Sequence, residues 1–103
     1  MATLKWLPEA LDDIERLYAF LNSKNPEAAK ASAQTILDAA EMIQDSPRIG
    51  RLMPNDSKRR ELFMNFGSGG SGGYVLRYIL ENDDTAVIIR VWHSRENRRG
   101  ILH

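Results

Sequence analysis

The sequence predicts an α+β fold of order βααβββ, a helical hairpin laid over one face of an antiparallel sheet. Three observations carry it. Two stretches before residue 46 repeat their apolar residues at helical spacing. After residue 60 the period becomes two, and Pro or Gly stands at most junctions. With 103 residues the chain has room for one core, so residues 1–103 are read as a single domain.

Leu4-Lys5-Trp6-Leu7 is short and apolar and ends at Pro8, which predicts an opening edge strand. Pro8 then suits the first helical position, where its missing N–H costs nothing. Glu9, Asp12 and Asp13 fall in the first turns, the favourable end of the helix dipole. Leu11, Ile14, Leu17, Tyr18 and Leu21 mark the expected apolar stripe, so a helix is predicted over residues 8–22. Asn25-Pro26-Glu27 repeats this grammar with Asn as the cap. A second helix follows, with Ala29, Ala33, Ile36, Leu37, Ala40 and Ile43 as its buried face, stopped by Ser46-Pro47. The short joint makes the two helices an antiparallel hairpin.

Arg48 to Lys58 reads as a loop. Leu62, Met64 and Phe66 alternate with Glu61, Phe63 and Asn65 and predict a strand. Val75 to Leu80 and Ala86 to Trp92 predict two more, joined by the polar turn at residues 81–85. The glycine-serine run at residues 67–73 reads as a flexible hairpin connection. As a phosphate cradle it lacks the Lys-Ser/Thr and the helix that would follow.

The chain has no cysteine, which removes disulfides and thiolate chemistry and suits a reducing compartment. No apolar run reaches the roughly 18 residues needed to span a bilayer, and the N-terminus lacks the pattern of a signal peptide. A cytoplasmic location with no membrane contact is therefore expected. The formal net charge of zero divides unevenly: residues 1–47 carry four basic and eight acidic groups, and residues 48–103 carry ten basic and six acidic. Nine of those ten basic residues are arginine, suited to bidentate contact with carboxylate or phosphate. The half is either a solvated face or a surface for a polyanion or acidic partner.

Strand parity places Val75, Arg77 and Ile79 on one face, with Ile88, Arg90 and Trp92 beside them. Leu76, Tyr78, Leu80, Val87, Ile89 and Val91 are then expected under the helices. An unpaired arginine is excluded from a small core, so Arg77 and Arg90 are expected on an open face, with Trp92 either a partner anchor or a core residue. His93-Ser94-Arg95 follows, with Arg98 close behind. A histidine among arginines can serve as general acid or base in RNA cleavage; the alternative is a polar strand end with local hydrogen bonds. No catalytic residue is assigned from residue types alone. No spacing of ligands points to a metal, and no cofactor is expected.

Pro8, Ala10, Leu11 and Ile14, then Asn25 to Ala29, Ser46 to Arg51, Arg60-Glu61-Leu62, Gly73 to Tyr78 and Val91 to Glu96 resemble, in order, the plasmid-stabilisation toxins of the ParE/RelE superfamily. The resemblance covers almost the whole chain. It implies a type II toxin neutralised by a ParD-like antitoxin whose C-terminal segment masks the active surface. RelE-like members cut messenger RNA on the ribosome, using basic strand residues, an arginine after the last strand and often a terminal tyrosine or histidine. ParE-like members lack that set and poison DNA gyrase. Here Arg60-Glu61-Leu62-Phe63-Met64 lacks the alternating lysines and Ile101 stands near the tyrosine position, although Arg95 matches the arginine. The resemblance thus implies a gyrase inhibitor, with Arg77, Arg90, Trp92, His93, Arg95 and Arg98 contacting target or antitoxin. DNA contact would come only through the antitoxin or gyrase. The other reading is a ribosome-dependent endoribonuclease, with His93 and Arg95 as its catalytic residues.

Overall fold

The computed structural model describes residues 2–54, 56–65 and 72–94, with only the backbone of residues 56 and 57. Expectations placed on Phe66, on the glycine-serine run up to Ser71 and on Arg95 to His103 lie outside the described residues. The elements are β1 (Thr3–Trp6), α1 (Pro8–Asn22), α2 (Pro26–Asp45), β2 (Arg51–Met53), β3 (Asp56–Asn65), β4 (Gly73–Asn82) and β5 (Thr85–His93). They form one five-stranded sheet in the order β1-β5-β4-β3-β2. The pairs β2–β3, β3–β4 and β4–β5 are antiparallel, whereas β1 lies parallel to β5 at the edge, through Trp6 opposite Ile88. Among the described residues no helix is long and apolar enough to cross a membrane.

Both helices begin where proline allows. Asn25 caps α2 by accepting the N–H groups of Glu27 and Ala28, whereas Leu7 gives α1 no side-chain cap. The core lies between the helices and one sheet face, and includes Ala10, Leu17, Ile36, Ala40, Ile43, Leu76, Tyr78, Ile88 and Val91. Two of its tyrosines tie the sheet to other layers. The Tyr74 hydroxyl donates to Ser32 on α2 at 2.9 Å, and the Tyr78 hydroxyl donates to the Pro47 carbonyl at 2.6 Å.

The structure corrects four expectations. On α1 the buried positions are Ala10, Asp13 and Leu17, while Leu11 and Tyr18 are exposed. The helix is rotated so that a carboxylate, held by partners on β5, enters the interior. On α2, Ser32 and Ala39 are buried and Leu37 is exposed, since small residues let the helix lie close against the sheet. The expected loop at residues 48–58 contains β2 and the start of β3, whose pairing places Leu52 opposite Arg60. Three residues are too few to show a period, and Ser57-Lys58-Arg59-Arg60 carries no apolar alternation.

The fourth correction is a β-bulge. Arg77 pairs with Arg90, but Tyr78 pairs with Ile88, so Ile89 is the extra residue. Parity on β5 therefore flips. Ala86 and Ile88 join Val91 in the helix-side core, and Val87 and Ile89 fall outside it, the reverse of the alternation read from sequence.

Glycine is required at Gly73. A Cβ there would overlap the backbone carbonyl of Met64 across the β3–β4 ladder. Gly72 before it has φ 100°, in the left-handed region that favours glycine.

Candidate functional site

The bulge decides where the predicted site residues go. Before it, β1 covers the outer edge of β5; after Ile88 that edge is left to α1, which starts two residues past β1. Asp13 sits on α1 opposite this stretch. Its carboxylate accepts the Val91 N–H at 2.9 Å, as a neighbouring strand's carbonyl would. It also accepts two bonds from Arg90, Nε at 2.8 Å and an Nη at 2.9 Å, and Arg16 approaches at 3.4 Å. Asp13 is 4% exposed, so this is a buried carboxylate with its charge met by guanidinium groups and one oxygen also accepting from the backbone. Arg90, expected on an open face, is instead tied to the helix layer.

Arg77 does lie on the face away from the helices, directly across from Glu61 on β3. It is not open. Its Nε and an Nη bond one Glu61 carboxylate oxygen at 3.0 and 2.7 Å, and its guanidinium carbon lies 4.8 Å from the centre of the Trp92 ring. Arg77 is 8% exposed and Trp92 0%. Val75, Val87 and Ile89 on this face are buried as well. The expectation of a bare, arginine-studded face is therefore corrected: at β4–β5 the face is closed, and a cross-strand carboxylate and an indole make the arginine tolerable there.

His93 ends β5, half-buried, with its ring edge-on to Tyr74 at 5.2 Å between centres. Next to it, Ser94 and Gly73 exchange two bonds: the Ser94 N–H donates to the Gly73 carbonyl at 2.8 Å, and the Gly73 N–H donates to the Ser94 hydroxyl at 3.0 Å. The strand end that carries His93 is thus pinned to the start of β4. The structure brings Arg77 and Trp92 into contact and sets Arg90 opposite Arg77 in register, with Arg90 bonded elsewhere.

Sequence reasoning passes over Asp13, Glu61 and the pair Tyr78 and Arg60. The Tyr78 hydroxyl also accepts the Gly50 N–H at 2.8 Å, and an Arg60 Nη donates to the carbonyls of Arg48 at 3.1 Å and Gly50 at 2.8 Å. Burial pushes the Tyr78 hydroxyl above the ordinary tyrosine value, opposed by the Gly50 N–H and by Arg60. The stability contributed by its neutral form is fully present below the unfolded value of 10.0 and is lost as pH rises past it towards the folded value. Melting temperatures from neutral pH to pH ~11 should fall more steeply above ~10 for the wild type than for Tyr78→Phe. The variant starts lower, by about 1–3 kcal/mol, because the Gly50 N–H and Pro47 carbonyl lose their partner. Parallel curves would contradict this.

The strand-borne arginine neutralised by a neighbouring carboxylate thus sits in a fold of order βααββββ, with β2 as one edge strand more than the expected βααβββ. Residues 4–98 match the family model described as ParE toxin of type II toxin-antitoxin system, parDE. The chain belongs to the ParE toxin family. It is also similar to Toxin RelE3 of Caulobacter vibrioides, at 34% identity over 98 residues, covering 95% of this chain and 100% of that protein. Among solved structures it resembles one described as the chromosomal ParDE TA system from P. aeruginosa, with a TM-score of 0.71 over 90% of this chain and 96% of that chain. At 20% identity that likeness speaks to the fold. The chain is accordingly a toxin of a type II toxin-antitoxin system, and its partner is an antitoxin.

Proposed function

We propose that this ParE-family toxin works in the cytoplasm by binding DNA gyrase, stabilising cleaved DNA and blocking replication, until a ParD-like antitoxin masks it. The observation that carries this reading is the Arg77–Glu61 pair. Cleavage of RNA needs guanidinium or ammonium charge available to the phosphorane. Here the strand arginine is buried and bonded to a carboxylate, and Arg90 is bonded to another. Such a face favours protein contact over phosphate chemistry. Arg77, Arg90 and Trp92 then shape the face from beneath, and His93, with Arg95 and Arg98 after it in sequence, meets target or antitoxin.

Purified toxin should inhibit gyrase supercoiling and accumulate cleaved plasmid; gyrase unaffected by saturating toxin rejects the proposal. The second reading, a ribosome-dependent endoribonuclease, draws on the position of His93 at the strand end and on the name of the Caulobacter relative. It requires mRNA cleavage in a translation extract that His93→Ala and Arg95→Ala together abolish.

A further inference from the structure

The loop between α2 and β2 is fixed more firmly than a connection requires. Four hydrogen bonds from the sheet converge on residues 47–50: two through the Tyr78 hydroxyl and two from Arg60. The fit is tight, since a Cβ on Gly50 would stand 2.7 Å from the Tyr78 hydroxyl. This loop presents Ile49, 42% exposed, and leads into β2, which presents Leu52, 44% exposed. Arg60 links the two segments: it is the register partner of Leu52, and its guanidinium bonds the carbonyls on either side of Ile49. Residues 48–60 carry Arg48, Arg51, Lys58, Arg59 and Arg60 against the single acid Asp56.

A preorganised pair of exposed aliphatic side chains in a segment of net positive charge, where Arg48 pairs with Asp83 at 3.2 Å, has the anatomy of a protein contact. Nucleic acid fits less well. Bases stack on aromatic faces, and neither Ile49 nor Leu52 offers one. From this we infer that the patch of Ile49 and Leu52, held by Tyr78 and Arg60, is the surface through which the toxin grips its target, docking in an apolar depression rimmed by acidic side chains on a folded protein. The inference rests on the reading that the toxin acts by binding; on the gyrase reading, that depression belongs to gyrase. Rigid presentation matters here because ordering a loop at the moment of binding would cost affinity.

The test induces the chain alone in cells and compares wild type with Ile49→Glu/Leu52→Glu and with the conservative Ile49→Val/Leu52→Met. Both sites are exposed, so thermal unfolding and antitoxin binding by the purified proteins should be unchanged. The acidic pair should weaken growth arrest by about tenfold or more in the toxin dose required, and the conservative pair should keep it. Undiminished arrest by the acidic pair overturns the proposal. So does loss of antitoxin binding along with arrest, which would make the patch the antitoxin's seat. Salt-sensitive binding of a DNA duplex, abolished by Arg48→Glu/Arg51→Glu and untouched by the acidic pair, would assign the surface to phosphate and overturn it too. Wild-type arrest with unchanged gyrase supercoiling rejects gyrase as target, and the growth comparison still judges the patch.

Discussion

Asp13→Ala should destabilise the toxin by about 3–5 kcal/mol, because it takes the Asp13 carboxylate from the Arg90 guanidinium in a site where the arginine side chain is only 14% exposed. The same substitution leaves the Val91 N–H buried without its acceptor. For a domain of this size, 3 kcal/mol corresponds to a melting temperature lower by roughly 12 °C or more. Asp13→Asn separates the two contributions: its amide oxygen can still accept from Val91, while the charge that held Arg90 and Arg16 is gone. It should therefore fall between wild type and Asp13→Ala. Arg90→Ala should also be costly, and the double variant with Asp13→Ala should cost less than the sum of the singles, since the two side chains share one interaction. Additive losses would show that Asp13 and Arg90 act independently.

Arg77→Ala should have the second large effect, near 3 kcal/mol, by leaving Glu61 on a buried strand face without its cation and uncovering the Trp92 ring. Glu61→Gln, measured by the same chemical denaturation, should be milder because the amide can still accept from the guanidinium. Arg77→Lys should rescue little. An ammonium cannot make the two-nitrogen contact on Glu61 while lying flat against the indole. The consequence for assays is direct: loss of toxicity in an Arg77 or Arg90 variant reports a damaged fold before it reports a lost contact, so each needs an unfolding curve beside it. A variant at Arg77 that kept full stability and lost toxicity would return this arginine to a direct role.

The helices were legible because proline and asparagine at residues 8, 25 and 26 are local signals, and both helix spans follow from them. The same holds for β4, where Leu76 and Tyr78 face the core as their spacing says. β5 was legible in extent and not in facing. A bulge leaves no mark in a run such as Val87-Ile88-Ile89-Arg90-Val91, where every residue but one is β-branched and either face accepts it. The site suffered the same loss. Asp13 reads as a dipole-favoured residue near a helix start, and its burial depends on Val91 and Arg90, 77 or more positions away. The signal available was the spacing Ala10, Asp13, Leu17, the same spacing as the stripe written around Leu11 but one residue, about 100°, out of phase with it. Glu61 opposite Arg77 follows from the β3–β4 register, which a glycine-serine connection of uninformative length conceals. Tyr78 gave no warning that its hydroxyl would fasten a loop 28 to 31 residues earlier.

These ion pairs bear on what the toxin can do. With Arg77 bonded to Glu61 and Arg90 to Asp13, neither guanidinium is a mobile positive charge held out to a phosphate. The most direct measurement is to induce the toxin without its antitoxin and map broken nucleic acid in the same cells. DNA ends accumulating at gyrase sites, with a DNA-damage response and messenger RNA intact, is the predicted result. Transcripts cut at ribosomal positions, with DNA whole and supercoiling normal, would contradict it.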